Sequence, residues 1–163
     1  MILSESERGS DSESLEQKRS KTSDITHTAV RLLAGREHSR RELVDKLVKR
    51  GWSESDSHLC VEELANQDLQ SDERFASSFL RSRAGKAYGP VRIRLELKER
   101  GIDRDVIEKA FLEESVDWLE VASRWYGRRY SDMPVGDIKE RAKRQQALAR
   151  RGFTHELIRE LVD

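Results

Sequence analysis

Basic residues interleaved with aromatic rings are the feature of this 163-residue sequence that could perform chemistry. Lysine and arginine bind phosphate groups, and the fork of arginine also fits a carboxylate. The pattern occurs in two segments, one around Tyr88 and one around Trp125 and Tyr126. The candidate contacts for an anionic partner are Arg81, Arg83, Lys86, Arg92, Arg94, Arg100, Arg128, Arg129, Arg144, Arg150 and Arg151.

The same basic residues also fit a plainer interpretation. Helix surfaces rich in arginine often remain solvated and pair with nearby carboxylates, here Glu96, Glu99 and Glu140. The pattern alone does not choose between a solvated face and an anion-binding face. The formal net charge is zero, but acidic residues dominate the first 24 positions, so the rest of the chain is slightly basic.

Other residue types offer no catalytic or metal-binding arrangement. Gly85, Lys86 and Gly89 do not have the Walker spacing, and the lone Cys60 excludes an internal disulfide. We therefore expect no enzymatic activity, no cofactor and no metal. The histidines lack the one-turn spacing of a zinc-binding helix and are expected to be solvated or capping residues: His27, His38, His58 and His155.

An internal repeat determines which elements carry these residues. Three similar stretches recur about fifty residues apart, each with a basic residue, a glycine, an apolar residue and then Ser, Asp or Thr. Such a stretch indicates a helix that ends with glycine at the C′ position, followed at once by the cap of another helix. The stretches are 49–53, 99–103 and 150–154, and four residues before their glycines stand Leu47, Leu97 and Leu148.

The repeat predicts an all-α fold of three tandem three-helix repeats that stack into an elongated, curved helical array. Residues 1–22 have almost no apolar content and are expected to form a disordered acidic and serine-rich tail, with the first helix starting near Asp24. The predicted repeats are 23–67, 68–115 and 116–163. In the helix that follows Gly51, Asp56 and Ser57 stand where the other two repeats have apolar residues, so the start of this helix should pack less deeply. Residues 85–89 should form a flexible loop between helices.

The composition fits a surface-rich helical protein. Charged residues make up 38% of the chain and aromatic residues 6%, and the sequence has two prolines. No apolar stretch has the length of a signal peptide or a membrane span. We expect a cytoplasmic monomer that does not associate with membranes.

Several motifs resemble the RecX family. They are Ala29-x-x-Leu32-Leu33-Ala34-x-Arg36-Glu37-x-Ser39-x-x-Glu42-Leu43, Ser71-Asp72-Glu73-Arg74-Phe75-Ala76, Gly89-Pro90-x-Arg92-Ile93-x-x-Glu96-Leu97-x-x-Arg100-Gly101-Ile102 and Arg150-Arg151-Gly152-Phe153. The resemblance extends from about Thr28 to the end of the sequence. The fold of this family, three tandem three-helix units, agrees with the repeat found above.

The resemblance implies a protein that functions by binding. RecX proteins are negative regulators of the RecA recombinase that bind the groove of the RecA filament on single-stranded DNA. They limit filament extension, strand exchange and coprotease activity in DNA repair, homologous recombination and the SOS response. The expected partners are the RecA filament, single-stranded DNA and weakly, in a salt-dependent way, duplex DNA.

Direct binding of duplex DNA remains the alternative function. A three-helix unit resembles a helix-turn-helix module, whose second helix presents side chains to base edges. The helices in that position begin with acidic residues, as at 53–56, 103–105 and 154–156. Such residues would repel phosphates, so the resemblance to RecX is the favoured interpretation.

Overall fold

A computed structural model describes residues 5–131 and 133–162, with side chains from residue 11 onward. These residues form nine α-helices and no strand, which confirms the predicted all-α class. In chain order the helices are α1 (Glu5–Gly35), α2 (Arg40–Lys49), α3 (Glu54–Asn66), α4 (Asp72–Gly85), α5 (Pro90–Glu99), α6 (Arg104–Glu114), α7 (Trp118–Tyr130), α8 (Ile138–Arg151) and α9 (His155–Val162).

The same glycine-centred turn ends α2, α5 and α8. In each turn the glycine has a positive φ, and the amide of the next residue donates to the carbonyl of a fully buried leucine four positions before the glycine. This is the Schellman pattern, in which the glycine takes the left-handed conformation. The prediction of glycine at C′ is confirmed by Gly51 (φ 102°), Gly101 (φ 79°) and Gly152 (φ 92°).

The residue expected to cap the next helix lies at its start in all three turns. The Ser53 hydroxyl accepts from the Asp56 amide at 3.1 Å, and the Thr154 hydroxyl accepts from the Leu157 amide at 3.4 Å. Asp103 is the N-cap of α6 but its side chain accepts no capping hydrogen bond. The short turns therefore fix the geometry of each helix pair through local bonds.

Each triplet of helices has its own hydrophobic cluster. Residues of α1, α2 and α3 form the first, residues of α4, α5 and α6 the second, and residues of α7, α8 and α9 the third. The turn leucines Leu47, Leu97 and Leu148 are buried in these clusters, one in each. The chain divides into two compact units after Ser71, so the second and third triplets share one unit.

A direct backbone contact joins the beginning of α5 to the end of α8 within the second unit. The Gly89 amide donates to the Arg151 carbonyl at 2.7 Å, and the Val91 amide donates to the Gly152 carbonyl at 3.0 Å. Amides at a helix start and carbonyls at a helix end lack partners within their own helices, so each set satisfies the other. We call this contact the α5–α8 clasp.

The clasp requires glycine on both sides. A Cβ atom at Gly89 would lie 2.3 Å from the carbonyl carbon of Gly152, and one at Gly152 would lie 2.3 Å from the Cβ of Arg92. Both distances are shorter than real Cβ contacts allow. Gly152 therefore has two roles, since it also needs the positive φ of the turn.

The N-terminal region differs from the predicted disordered tail. Helix α1 begins at Glu5 and not near Asp24, because the intervening residues include good helix formers and no proline. Residues 11–24 are all exposed, and burial in α1 begins at Ile25. Residues 1–4 of the predicted tail lie outside the described residues.

Two further predictions about packing are wrong in whole or in part. Asp56 is exposed, as expected, but Ser57 is fully buried, and its hydroxyl donates to the Ser53 carbonyl at 2.7 Å. The predicted flexible loop at 85–89 is packed instead. Ala87 is buried with a φ of 59°, and the Lys86 and Ala87 carbonyls accept hydrogen bonds from Arg151.

His38 is buried and is not the solvated or capping residue that the sequence suggested. Its Nδ1 lies 3.0 Å from the Arg36 carbonyl oxygen, and its own carbonyl accepts from the Gln70 side chain at 3.2 Å. Burial lowers the pKa of His38, and the hydrogen bond to Arg36 partly opposes that shift. Folding therefore favours the neutral form of this ring.

We predict that Gly152→Ala destabilises the second unit more than Gly51→Ala destabilises the first. Both substitutions put alanine at a positive φ, which costs about 1 kcal/mol. A Cβ at Gly51 meets nothing within 4 Å, whereas one at Gly152 meets Arg92, so Gly152→Ala should cost about 1–3 kcal/mol more. Urea unfolding followed by circular dichroism measures both costs, and equal values would show that the clasp tolerates a side chain.

We predict that the first unit loses stability as the pH falls below about 6.5, the ordinary pKa of histidine. Because the folded pKa of His38 is lowered, the unfolded chain binds a proton first, so this contribution is present above that pH and disappears below it. Thermal unfolding at pH 7.5 and 5.5 tests this, with His38→Gln as the control. The same pH-dependent loss in wild type and variant would exclude His38 as its source.

Candidate functional site

A cleft of about 300 Å³ opens beside the α5–α8 clasp. Four of its lining side chains are arginines, two are aromatic, and none is a carboxylate, so the cleft is positively charged in a chain of zero net charge. We call it the arginine cleft. It is lined by Tyr88, Arg92, Trp125, Arg129, Ala147, Arg150 and Arg151.

Arg151 is fixed between two aromatic rings. Its guanidinium carbon lies 5.0 Å from the centre of the Tyr88 ring and 4.9 Å from that of the Trp125 ring. Its Nη1 donates to the Lys86 carbonyl at 2.9 Å and to the Ala87 carbonyl at 3.3 Å. Cation–π contacts and backbone hydrogen bonds thus hold Arg151 in place and connect α8 to the loop before α5.

Arg92 enters the cleft from α5. Its guanidinium lies 4.4 Å from the centre of the Tyr88 ring, and its Nε donates to a Glu96 oxygen at 3.0 Å. Its Nη1 also lies 3.4 Å from the Arg150 carbonyl oxygen. Because the Arg92 side chain is still partly exposed, its charge remains accessible from the cleft while its orientation is set by these partners.

Arg129 and Arg150 have the exposed charges of the cleft. Arg129 lies on α7 with its guanidinium 5.8 Å from the centre of the Trp125 ring, and Arg150 lies in the last turn of α8. Both residues are exposed, and neither side chain forms an ion pair with a described residue. These two arginines can therefore bind an external anion without breaking an internal ion pair.

Glu96 organises the arginines next to the cleft. One carboxylate oxygen lies 2.7 Å from the Arg83 Nε in an ion pair without an aligned hydrogen bond, and the other accepts from Arg92. The Glu96 carbonyl accepts from Arg100 at 3.0 Å. Arg83 and Arg100 also stack on Phe79. Both of these candidate residues thus stabilise the packing of α4 against α5.

Arg81 and Arg94 belong to ion pairs outside the arginine cleft. Arg81 lies 2.5 Å from the Glu114 carboxylate, and Arg94 forms two hydrogen bonds with Glu108 at 2.9 and 3.2 Å. The Arg94 hydrogen bonds hold the pKa of Glu108 below its usual range. These pairs hold α4 and α5 against α6. For these two arginines, pairing with internal carboxylates is therefore the correct one of the two interpretations that the sequence left open.

The prediction that Arg144 contacts a partner is wrong for this fold, because the residue is only 2% exposed. Its guanidinium donates to Glu140, to the Tyr126 hydroxyl and to the Met133 carbonyl, each at 3.0 Å. It also stacks on Tyr130 at 4.6 Å. Arg144 therefore fastens α8 to α7 and to the segment between them.

Lys86 and Arg128 complete the predicted set. Both side chains are exposed, and neither residue lines the arginine cleft. Lys86 contributes only its carbonyl, which accepts from Arg151. The structure thus brings four of the predicted residues together, one from α5, one from α7 and two from α8, and distributes the others over separate faces.

Sequence reasoning missed the clasp that creates the cleft. Gly89 looked like a loop residue before Pro90, and Gly152 was interpreted only as a helix end. The motif around Gly89 and the motif around Gly152 did contain a signal, since each has an arginine within three residues of its glycine. Nothing in either motif indicates that the two glycines meet.

Other kinds of site find no support in the part of the chain that the structure describes. Among residues 11–131 and 133–162, no three His, Cys, Asp or Glu side chains converge as a metal site would require. Within the described helices, none is long and apolar enough to cross a membrane.

Comparisons with known proteins agree on one family. Three family models match, described as the first, second and third three-helix domains of RecX, at residues 27–64, 71–110 and 115–162. The chain is 43% identical over 131 residues to "Regulatory protein RecX" of Chromohalobacter salexigens, covering 80% of this chain and 86% of that protein. It is 42% identical over 135 residues to the protein of the same name from Halorhodospira halophila, covering 83% and 84%.

A solved structure has the same fold. The crystal structure of RecX from Lactobacillus salivarius superposes with a TM-score of 0.73 and covers 88% of this chain and 96% of the other, at 24% sequence identity. The curated relatives are named as regulatory proteins, and no catalytic activity is indicated by their names.

We predict different effects on stability for two arginines of α8, Arg144 and Arg150. Arg144→Gln should lower the thermal midpoint of the second unit, because it leaves Glu140 and the Tyr126 hydroxyl without their buried partner. Arg150→Gln should leave the midpoint unchanged, because the Arg150 side chain is exposed. Differential scanning calorimetry measures both. An unchanged midpoint for Arg144→Gln would contradict its structural role.

Proposed function

Because this chain belongs to the RecX family, we propose that it is a negative regulator of the RecA recombinase that binds the RecA filament on single-stranded DNA. The observation that supports this proposal is the arginine cleft, where exposed charges lie beside aromatic rings. The cleft would contact the DNA of the filament, and the remaining helical surfaces would contact its protein.

The chemistry of the cleft suits a single strand of DNA. Arg129 and Arg150 are exposed and have no internal carboxylate partner, so they can bind phosphates. Guanidinium groups lie over the Tyr88 and Trp125 rings, and their planes offer surfaces on which a base can stack in continuation of those contacts. Stacking does not depend on base identity, so this binding would not require a particular sequence.

Binding of this kind would inhibit RecA without any chemical step. A protein that occupies the filament groove blocks the addition of further RecA and favours disassembly, which reduces strand exchange and coprotease activity. Neither a nucleotide nor a metal is needed by the regulator. The protein would act in the cytoplasm, where its partner works.

The alternative of a sequence-reading duplex binder has less support. In each helix pair the second helix begins with exposed carboxylates, among them Glu54, Asp105 and Glu156. A helix that enters the major groove would bring these carboxylates close to phosphates. Their repulsion favours a role for the arginine cleft over a role for the helix starts.

We predict that this protein inhibits the DNA-dependent ATPase of the cognate RecA well below one molecule per RecA monomer. Inhibition at that ratio is expected because one bound regulator can stop extension of a whole filament. The assay titrates the folded protein into RecA on single-stranded DNA. A folded protein that leaves an active filament unaffected would contradict the proposed function.

A matched pair of double variants tests the cleft in the same assay. Arg129→Gln with Arg150→Gln should raise the amount needed for inhibition about tenfold, a loss of about 1.4 kcal/mol. It should also flatten the salt dependence of DNA binding, because fewer phosphates are neutralised. Arg128→Gln with Arg159→Gln removes the same charge from α7 and α9 outside the cleft and should change neither result. Equal effects from both pairs would mean that only net charge matters.

A further inference from the structure

A second surface of the middle repeat has the opposite character to the arginine cleft. It is a groove of about 800 Å³ between α5 and α6, and most of its lining area is apolar. We call it the α5–α6 groove. It is lined by Val91, Arg94, Leu95, Lys98, Gly101, Ile102, Asp103, Arg104, Ile107 and Glu108.

Two exposed apolar side chains form one wall of the groove. Val91 is 54% exposed and Leu95 is 56% exposed, and they lie one helical turn apart on α5. Ile102 and Ile107 are almost fully buried beneath them and belong to the core of the repeat. The apolar surface is therefore continuous from the core to solvent.

The other two repeats show that the fold does not require these exposed apolar residues. Ten and six residues before the turn glycine, the positions of Val91 and Leu95, the first repeat has Arg41 and Asp45 and the third has Ala142 and Gln146. All of these positions are exposed. Among the three repeats, only the middle one has Leu or Val at both outward-facing positions, which points to a use in binding and not in folding.

The charges around the groove are unequal. Arg94 and Glu108 pair with each other, so their charges cancel. Lys98 and Arg104 form no ion pair with a described residue, and the carboxylates near them are Asp103 and Glu108, whose charge also acts on Arg104. With three cationic and two anionic side chains in its lining, the groove has an excess of one positive charge. The groove therefore has apolar side chains on α5 and a net positive charge near the turn that joins α5 to α6.

We propose that the α5–α6 groove docks a short amphipathic segment of the recombinase, one that has apolar side chains a turn apart and carboxylates at one end. The proposal rests on the proposed function, and it assigns the contact with the RecA protein of the filament to this groove. Apolar side chains would enter between Val91 and Ile107, and the carboxylates would meet Lys98 and Arg104.

Two other occupants fit less well. Single-stranded DNA would bring phosphates to a mainly apolar surface, which offers them few donors. A second copy of this chain, joined groove to groove, would bring two sets of Lys98 and Arg104 together and repel itself. An amphipathic, acidic segment would complement both the apolar wall of the groove and its excess positive charge.

We predict that Leu95→Gln weakens inhibition of the RecA ATPase about tenfold and leaves the affinity for free single-stranded DNA within about twofold, the tenfold loss being about 1.4 kcal/mol. The substitution installs the residue of the third repeat at the equivalent exposed position, Gln146, so the fold should accept it. Leu112→Gln makes the same exchange at an exposed leucine of α6 outside the groove, so it is the matched control and should change neither quantity. Lys98→Glu with Arg104→Glu should reproduce the loss of inhibition through charge.

The outcomes are distinguishable. Full inhibition by Leu95→Gln with an unchanged melting temperature would overturn the groove assignment but leave the proposed function intact. If Leu95→Gln weakened DNA binding as much as it weakened inhibition, the groove assignment would also be overturned, because the groove would then contact DNA. Sedimentation that shows a wild-type dimer dissociated by Leu95→Gln would assign the groove to self-association. A wild-type protein that fails to inhibit RecA would overturn both proposals.

Discussion

The backbone contact between Gly89 and Gly152 is the constraint on which the second unit depends. It brings the amides at the beginning of α5 within hydrogen-bond distance of the carbonyls at the end of α8, an approach that any side chain at either glycine would prevent. The contact brings Arg92 and Arg151 to the Tyr88 ring, with their guanidinium carbons 4.4 and 5.0 Å from its centre. The arginine cleft therefore depends on glycine, which has no side chain, at both positions.

Most of the arginines around this contact stabilise the fold through internal contacts. Arg83 and Arg92 share the Glu96 carboxylate, Arg144 is buried under α7, and Arg151 lies between two rings. Because arginine can donate several hydrogen bonds and stack at the same time, it joins helices in a chain that has few aromatic residues. The charges left for binding are a minority, and they are concentrated where α7 and α8 border the cleft.

The local parts of the structure could be predicted from the sequence, because they depend on residues close together in the chain. The turns at Gly51, Gly101 and Gly152 need only a glycine and a preceding leucine, and all three formed as predicted, although Asp103 makes no side-chain capping bond. The burial of Arg144 could not be predicted, because it depends on Tyr126 and the Met133 carbonyl from another part of the repeat. The start of α1 was missed for a different reason, since exposed polar residues can extend a helix without leaving a hydrophobic pattern.

The central claim of this account is that the exposed arginines of the cleft contact the filament, and chemical footprinting tests it directly. Phenylglyoxal modification, measured by mass spectrometry for each residue, would be compared with and without RecA on single-stranded DNA. The account predicts strong protection of Arg129 and Arg150 by the filament and little change at Arg128, which is also exposed and lies on the same helix as Arg129. Protection of Arg128 with continued modification of Arg129 and Arg150 would contradict it.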